Sequence, residues 1–103
     1  MRSANSKNLA KLPPESLLNQ LFEKNYTYEK IKNANEIIFL DWENFIDVEG
    51  AKIAVRCDGI DNKYIYFQPC YVNYSGYIDY FNTCDRISVR EYEDRLRLYK
   101  SKL

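Results

Sequence analysis

The chain has 103 residues, 46% apolar and 16% aromatic, with fifteen bases balancing fifteen acids and no histidine. That length suits one domain able to bury a core without metals or staples. Zero net charge speaks against a general nucleic-acid or membrane binder, and the lack of His removes the commonest general base and metal ligand, so an enzyme and a cofactor are not expected.

Residues 1–13 carry Arg2, Lys7 and Lys11 with no acid. Without apolar periodicity, residues 1–12 read as a disordered basic tail, and residues 13–103 as a single domain. Pro13-Pro14 and Glu15 announce a helix over about 14–24, because Pro is tolerated in a first turn and an acid there complements the helix dipole. Leu17, Leu18, Leu21 and Phe22 form its apolar stripe. The next segment, Tyr26 to Asn35, supports two readings: a short helix capped by Thr27, or a strand through Tyr26, Tyr28 and Lys30.

Glu36 to Asp47 reads as a strong strand. Ile38, Leu40 and Trp42 share one face and Ile37, Phe39 and Asp41 the other. Both faces begin apolar, which predicts a central strand, continued past a bulge by Phe45, Ile46 and Val48 to a turn at Glu49-Gly50. Lys52 to Cys57 alternates, with Ile53, Val55 and Cys57 inward and Lys52 and Arg56 outward. A turn-rich loop, Asp58 to Asn62, leads to a strand from Lys63 to Gln68 that places Tyr64 and Tyr66 opposite Ile65 and Phe67. Pro69 has no backbone donor and predicts a stop or kink. Beyond it, Ser75-Gly76 marks a hairpin. A two-residue loop there would set Tyr74 opposite Tyr77 and Tyr71 opposite Tyr80. Ser88 and Glu91 form a capping box for a last helix with Val89, Tyr92, Leu96, Tyr99 and Leu103 on one side.

The expected fold is therefore α+β: a four- to five-stranded antiparallel meander sheet with an N-terminal and a C-terminal helix on one face, a partly open barrel being the alternative. Cys57, Cys70 and Cys84 contain no Cys-x-x-Cys pair and read as reduced core thiols of a cytoplasmic protein. No run reaches the length of a membrane helix. The ending Ser101-Lys102-Leu103 matches a peroxisomal address but reads as chance in a chain rich in these residues. The usage of Asn, Lys, Ile and Tyr is of the kind associated with AT-rich genomes and phage or mobile-element products.

Ten residues are tyrosine, six of them between Tyr64 and Tyr80. Tyrosine supplies contact area at low entropic cost. Tyr71, Tyr74, Tyr77 and Tyr80 of the hairpin are the candidate partner-binding residues, with Tyr64 and Tyr66 assigned to structure. Asp41, Glu43 and Asp47, in a segment 36–49 that has acids and no base, form a second candidate contact for a basic target. These point to a small non-enzymatic protein-binding module, an inhibitor or modulator acting by occlusion, with a homodimer through the hairpin edge as a further arrangement. Two alternatives remain. Aromatic strands near Lys52, Arg56 and Lys63 fit single-stranded nucleic acid, though Asp58, Asp61 and Asp79 would oppose a phosphate backbone. The run Ile37-Ile38-Phe39-Leu40-Asp41-Trp42-Glu43-Asn44 resembles the first strand of NYN-type ribonucleases. The resemblance implies that Asp41 helps bind a divalent metal within an α/β domain, although here a Glu-Gly turn and another strand follow where that family places a helix.

Overall fold

Local signals set the helices. The computed structural model describes residues 11–42, 51–57 and 63–103. Helix α1 spans Glu15–Glu23, and its stripe of Leu17, Leu18, Leu21 and Phe22 is buried. It ends in a Schellman motif: Tyr26 N–H donates to Leu21 C=O at 3.0 Å and Asn25 N–H to Phe22 C=O at 2.9 Å. Asn25 adopts the required left-handed conformation, φ 55°, which a short polar side chain tolerates. Of the two readings for Tyr26 to Asn35, the helix holds: α2 spans Tyr28–Lys32, and the Thr27 hydroxyl accepts from Lys30 N–H. Helix α3 spans Val89–Ser101, and Ser88 Oγ accepts from Glu91 N–H at 3.1 Å. The Glu91 carboxylate turns instead to Arg95, one helical turn on, at 2.7 Å.

Five antiparallel strands form an open sheet that does not close into a barrel. They are β1 (Ile38–Asp41), β2 (Ala51–Cys57), β3 (Tyr64–Val72), β4 (Ile78–Tyr80) and β5 (Asp85–Ser88). The first four follow the expected meander. The fifth departs from it, returning to β3 beside β4. The far edge of β3 is thus shared: Cys70 to Val72 pair with β4, and Tyr64 to Phe67 with β5.

One sheet face carries the core. Leu40, Ile53, Val55, Ile65, Phe67 and Ile87 cluster with Leu17, Leu18, Leu21 and Phe22 of α1, Ile31 of α2, and Tyr92 and Leu96 of α3. The helices therefore lie on a single layer, as α+β architecture requires.

Three expectations need correction. First, among the described strands β1 is an edge strand, paired only with β2. Its doubly apolar pattern arises because Phe39 points to the helix-free face and stays 37% exposed, while Leu40 is buried. The open edge is guarded by the Gln20 side chain, whose Nε2 donates to Asp41 C=O at 2.8 Å while its Oε1 accepts from Asp41 N–H at 3.0 Å. One amide side chain stands in for a neighbouring strand.

Second, Pro69 does not stop β3, which runs on to Val72. The carbonyl of Pro69 accepts from Phe81 N–H at 2.9 Å. The reciprocal donor is missing, and Gln68 Nε2 supplies it by donating to Phe81 C=O at 3.0 Å. No backbone group in that pair is left unsatisfied, so proline is tolerated beside a partner strand.

Third, the hairpin turn is longer than two residues. Asn73 N–H donates to Tyr77 C=O at 3.0 Å, and Asn73 Oδ1 accepts from the N–H groups of Ser75 and Tyr77, each at 2.9 Å. Gly76 sits at φ 82°, the left-handed position of a three-residue loop. The register becomes Tyr71 opposite Asp79 and Cys70 opposite Tyr80. A one-residue slip moves side chains to the other face, so the expected Tyr71–Tyr80 and Tyr74–Tyr77 pairs do not form.

The expected continuation through Phe45, Ile46 and Val48, the Glu49-Gly50 turn, the Asp58 to Asn62 loop and residues 1–10 of the tail lie outside the described residues. Lys11, at the tail's end, is held: its carbonyl accepts from Arg86 N–H at 2.9 Å along the outer edge of β5. No helix among the described residues is long and apolar enough to cross a membrane.

All three cysteines are free thiols. Burial pushes the Cys57 thiol up to about 11, and burial also raises Cys70, Cys84 and the Tyr92 hydroxyl above their ordinary values. These groups are neutral when protonated. As pH climbs past their ordinary values the unfolded chain sheds these protons first, so it binds fewer than the folded chain and stability falls. The melting temperature should decline from about pH 9 upward, and Cys57→Ala should flatten part of the fall between about pH 9 and 11. A wild-type melting temperature that is level across this range would contradict the assignment.

Candidate partner-binding surface

Alternation along each strand sends a second set of side chains to the face without helices. Cross-strand register then arranges them in rows. One row runs Arg56, Tyr66, Arg86 across β2, β3 and β5. A second runs Asp41, Lys52, Cys70, Tyr80 across β1 to β4. Phe39, Ala54 and Gln68 lie between them, and Tyr64 and Ser88 beyond the first.

The rows differ in electrostatics. Asp41 is the lone acid on this face among the described strand residues, and it is engaged: Lys52 Nζ lies 2.5 Å from Asp41 Oδ1. The hydrogen bond from Lys52, followed by its charge, holds the Asp41 carboxyl below the ordinary carboxylate range. In the other row the Arg86 guanidinium lies 4.1 Å over the Tyr64 ring, and Tyr64 and Tyr66 are tilted neighbours at 6.3 Å. Neither Arg56 nor Arg86 has a carboxylate partner among the described residues. A guanidinium stacked on a ring is positioned without losing its in-plane donors.

The expected contact residues are dispersed. Tyr80 is on the helix-free face and 39% exposed. Tyr71 is on the opposite face, where its ring meets Phe81 at 5.1 Å and Phe81 meets Trp42 at 6.0 Å. Tyr74 and Tyr77, in the turn, are 95% and 65% exposed. Asp41 joins the helix-free face but is tied to Lys52, and Glu43 and Asp47 lie outside the described residues. Of the two faces of this strand, the one carrying Ile65 and Phe67 is the buried one, and Tyr64 and Tyr66, assigned to structure, face away from the helices.

Sequence reading missed Arg86 because β5 was not recognised ahead of the last helix. The signal was present in Asp85-Arg86-Ile87-Ser88, a short alternation with Ile87 inward. The antiparallel sheet also differs from the α/β arrangement that the ribonuclease resemblance implies, since β1 is followed by an antiparallel partner. Comparison of the chain with known protein families, characterised proteins and solved structures finds no match.

Proposed function

We propose that the protein is a small non-enzymatic protein-binding module, an inhibitor or modulator, whose contact surface is the helix-free face of the sheet together with the tip of the β3–β4 hairpin. The observation that carries this reading is that face itself: Phe39, Arg56, Tyr64, Tyr66, Tyr80 and Arg86 are gathered on one rigid sheet layer. Tyr and Arg are the residue types that interfaces enrich and that anchor them, while Lys, Glu and Asp are depleted there. A preformed sheet spends little entropy on ordering, which favours affinity. Occlusion of a partner's working surface is then the simplest mechanism.

Alanine substitution separates this face from the other tyrosines. Against a partner purified with the full chain, Tyr66→Ala is expected to weaken binding by about 2 kcal/mol, roughly thirtyfold, the size of an interface anchor. Tyr71→Ala, on the opposite face, should leave affinity near wild type. Titration calorimetry reads both. Unchanged affinity for Tyr66→Ala and Tyr64→Ala would move the contact surface elsewhere.

A further inference from the structure

Resting on that reading, we infer that the partner meets this face with an acidic segment, its carboxylates seated on Arg56 and Arg86 to either side of Tyr66. This reverses the polarity expected from the acidic run 36–49, in which acids of this chain would grip a basic target.

The charge of this face favours the reversal. Among the described strand residues the face carries Lys52, Arg56 and Arg86 against the single acid Asp41, and Lys52 and Asp41 neutralise each other. What remains is a pair of arginines with no carboxylate partner among the described residues. A basic partner would be repelled by that pair, whereas a carboxylate can take two parallel hydrogen bonds from each guanidinium fork.

Geometry adds a spacing. Arg56 and Arg86 lie in register on the two strands that flank β3, opposite Tyr66. Their backbones are therefore separated by two strand spacings, on the order of 10 Å. Alternate residues of an extended chain put carboxylates on one side about 7 Å apart, a spacing that two long side chains on the strands flanking Tyr66 can span. Arg86 is already stacked on Tyr64, so less rotamer freedom remains to be lost on binding.

The same stack argues against a nucleic-acid strand. A base would need an open aromatic face, and the guanidinium covers one face of Tyr64 at 4.1 Å. The net charge of zero also gives phosphate little long-range attraction.

The test uses the full chain, labelled with nitrogen-15, and three probes: poly-L-glutamate, poly-L-lysine and an oligothymidylate. Poly-L-glutamate should shift the Arg56 and Arg86 side-chain signals and the Tyr64 and Tyr66 amides. Arg56→Gln with Arg86→Gln should weaken that binding about tenfold or more, as loss of charge-assisted hydrogen bonds predicts, with the melting temperature unchanged because neither arginine is in the core. Shifts confined to the exposed bases Arg90, Arg97 and Lys100 of α3, or equal binding of poly-L-lysine, would overturn the inference. Tight oligothymidylate binding at these residues without a poly-L-glutamate response would give the face to nucleic acid and overturn it too. A protein partner whose binding needs Tyr66 but ignores the double arginine substitution would sink the acidic segment while leaving the proposed binding face intact. A partner indifferent to Tyr66 would sink the face itself.

Discussion

Tyr92→Ala is expected to cost about 3–5 kcal/mol, as large aromatic truncations in a core do, and to lower the melting temperature by on the order of 20 °C. Tyr92 is fully buried. Its ring lies 5.2 Å from Phe22 of α1, which also meets Tyr99 of α3 at 5.5 Å. Its hydroxyl donates to the carbonyl of Tyr26, in the connection between α1 and α2. One residue of α3 thus binds the other two helices, by apolar packing to one and by a hydrogen bond beside the other. Removing the ring opens a cavity at the point where three elements converge. Against a typical total stability of about 5–15 kcal/mol, that loss leaves a marginal fold.

Tyr92→Phe separates the two contributions. It keeps the ring and strands the Tyr26 carbonyl, which should cost about 1–2 kcal/mol. Calorimetric melting of both variants checks the assignment. If Tyr92→Phe is as damaging as Tyr92→Ala, the hydroxyl and not the packing dominates. If Tyr92→Ala melts cooperatively near wild type, Tyr92 does not hold the helices together.

Periodicity made these helices readable in advance. The stripe Leu17, Leu18, Leu21, Phe22, the Ser88 cap and the inward set Tyr92 and Leu96 are all local patterns within one or two turns, and each is found where the spacing put it. The alternation of Ile53 and Val55 was legible for the same reason. What escaped depends on groups far apart in the chain. That β1 ends the sheet is settled by the pairing of other strands and by Gln20, 21 residues away from Asp41. The hairpin register turns on the Asn73 side chain taking two backbone donors, which adds a residue to the loop and sends Tyr71 and Tyr80 to opposite faces. The candidate site inherited both errors. Its tyrosines were visible as composition, yet their common surface with Arg86 exists only because β5 lies beside β3.

Pro69 offers the clearest test of such a long-range substitution of partners. Gln68→Ala is expected to cost about 1–3 kcal/mol, because it leaves the Phe81 carbonyl without its donor in a partly buried position. The side chain belongs to the helix-free face, so the core would be untouched and the loss would fall on the β3–β4 junction. Pro69→Val restores a backbone N–H aimed at the same carbonyl. In that background Gln68→Ala should cost less, by a coupling on the order of 1 kcal/mol, as expected for two groups serving one acceptor. Equal costs in both backgrounds would show that Gln68 does not replace the missing donor. Hydrogen exchange gives an independent reading. The Phe81 amide, held by the Pro69 carbonyl at 2.9 Å, should exchange faster in Gln68→Ala than in the double variant, and the Leu96 amide within α3 should change least. The consequence reaches the proposed binding face: Tyr80 directly precedes Phe81, so the bond that compensates for proline also fixes the strand that presents Tyr80.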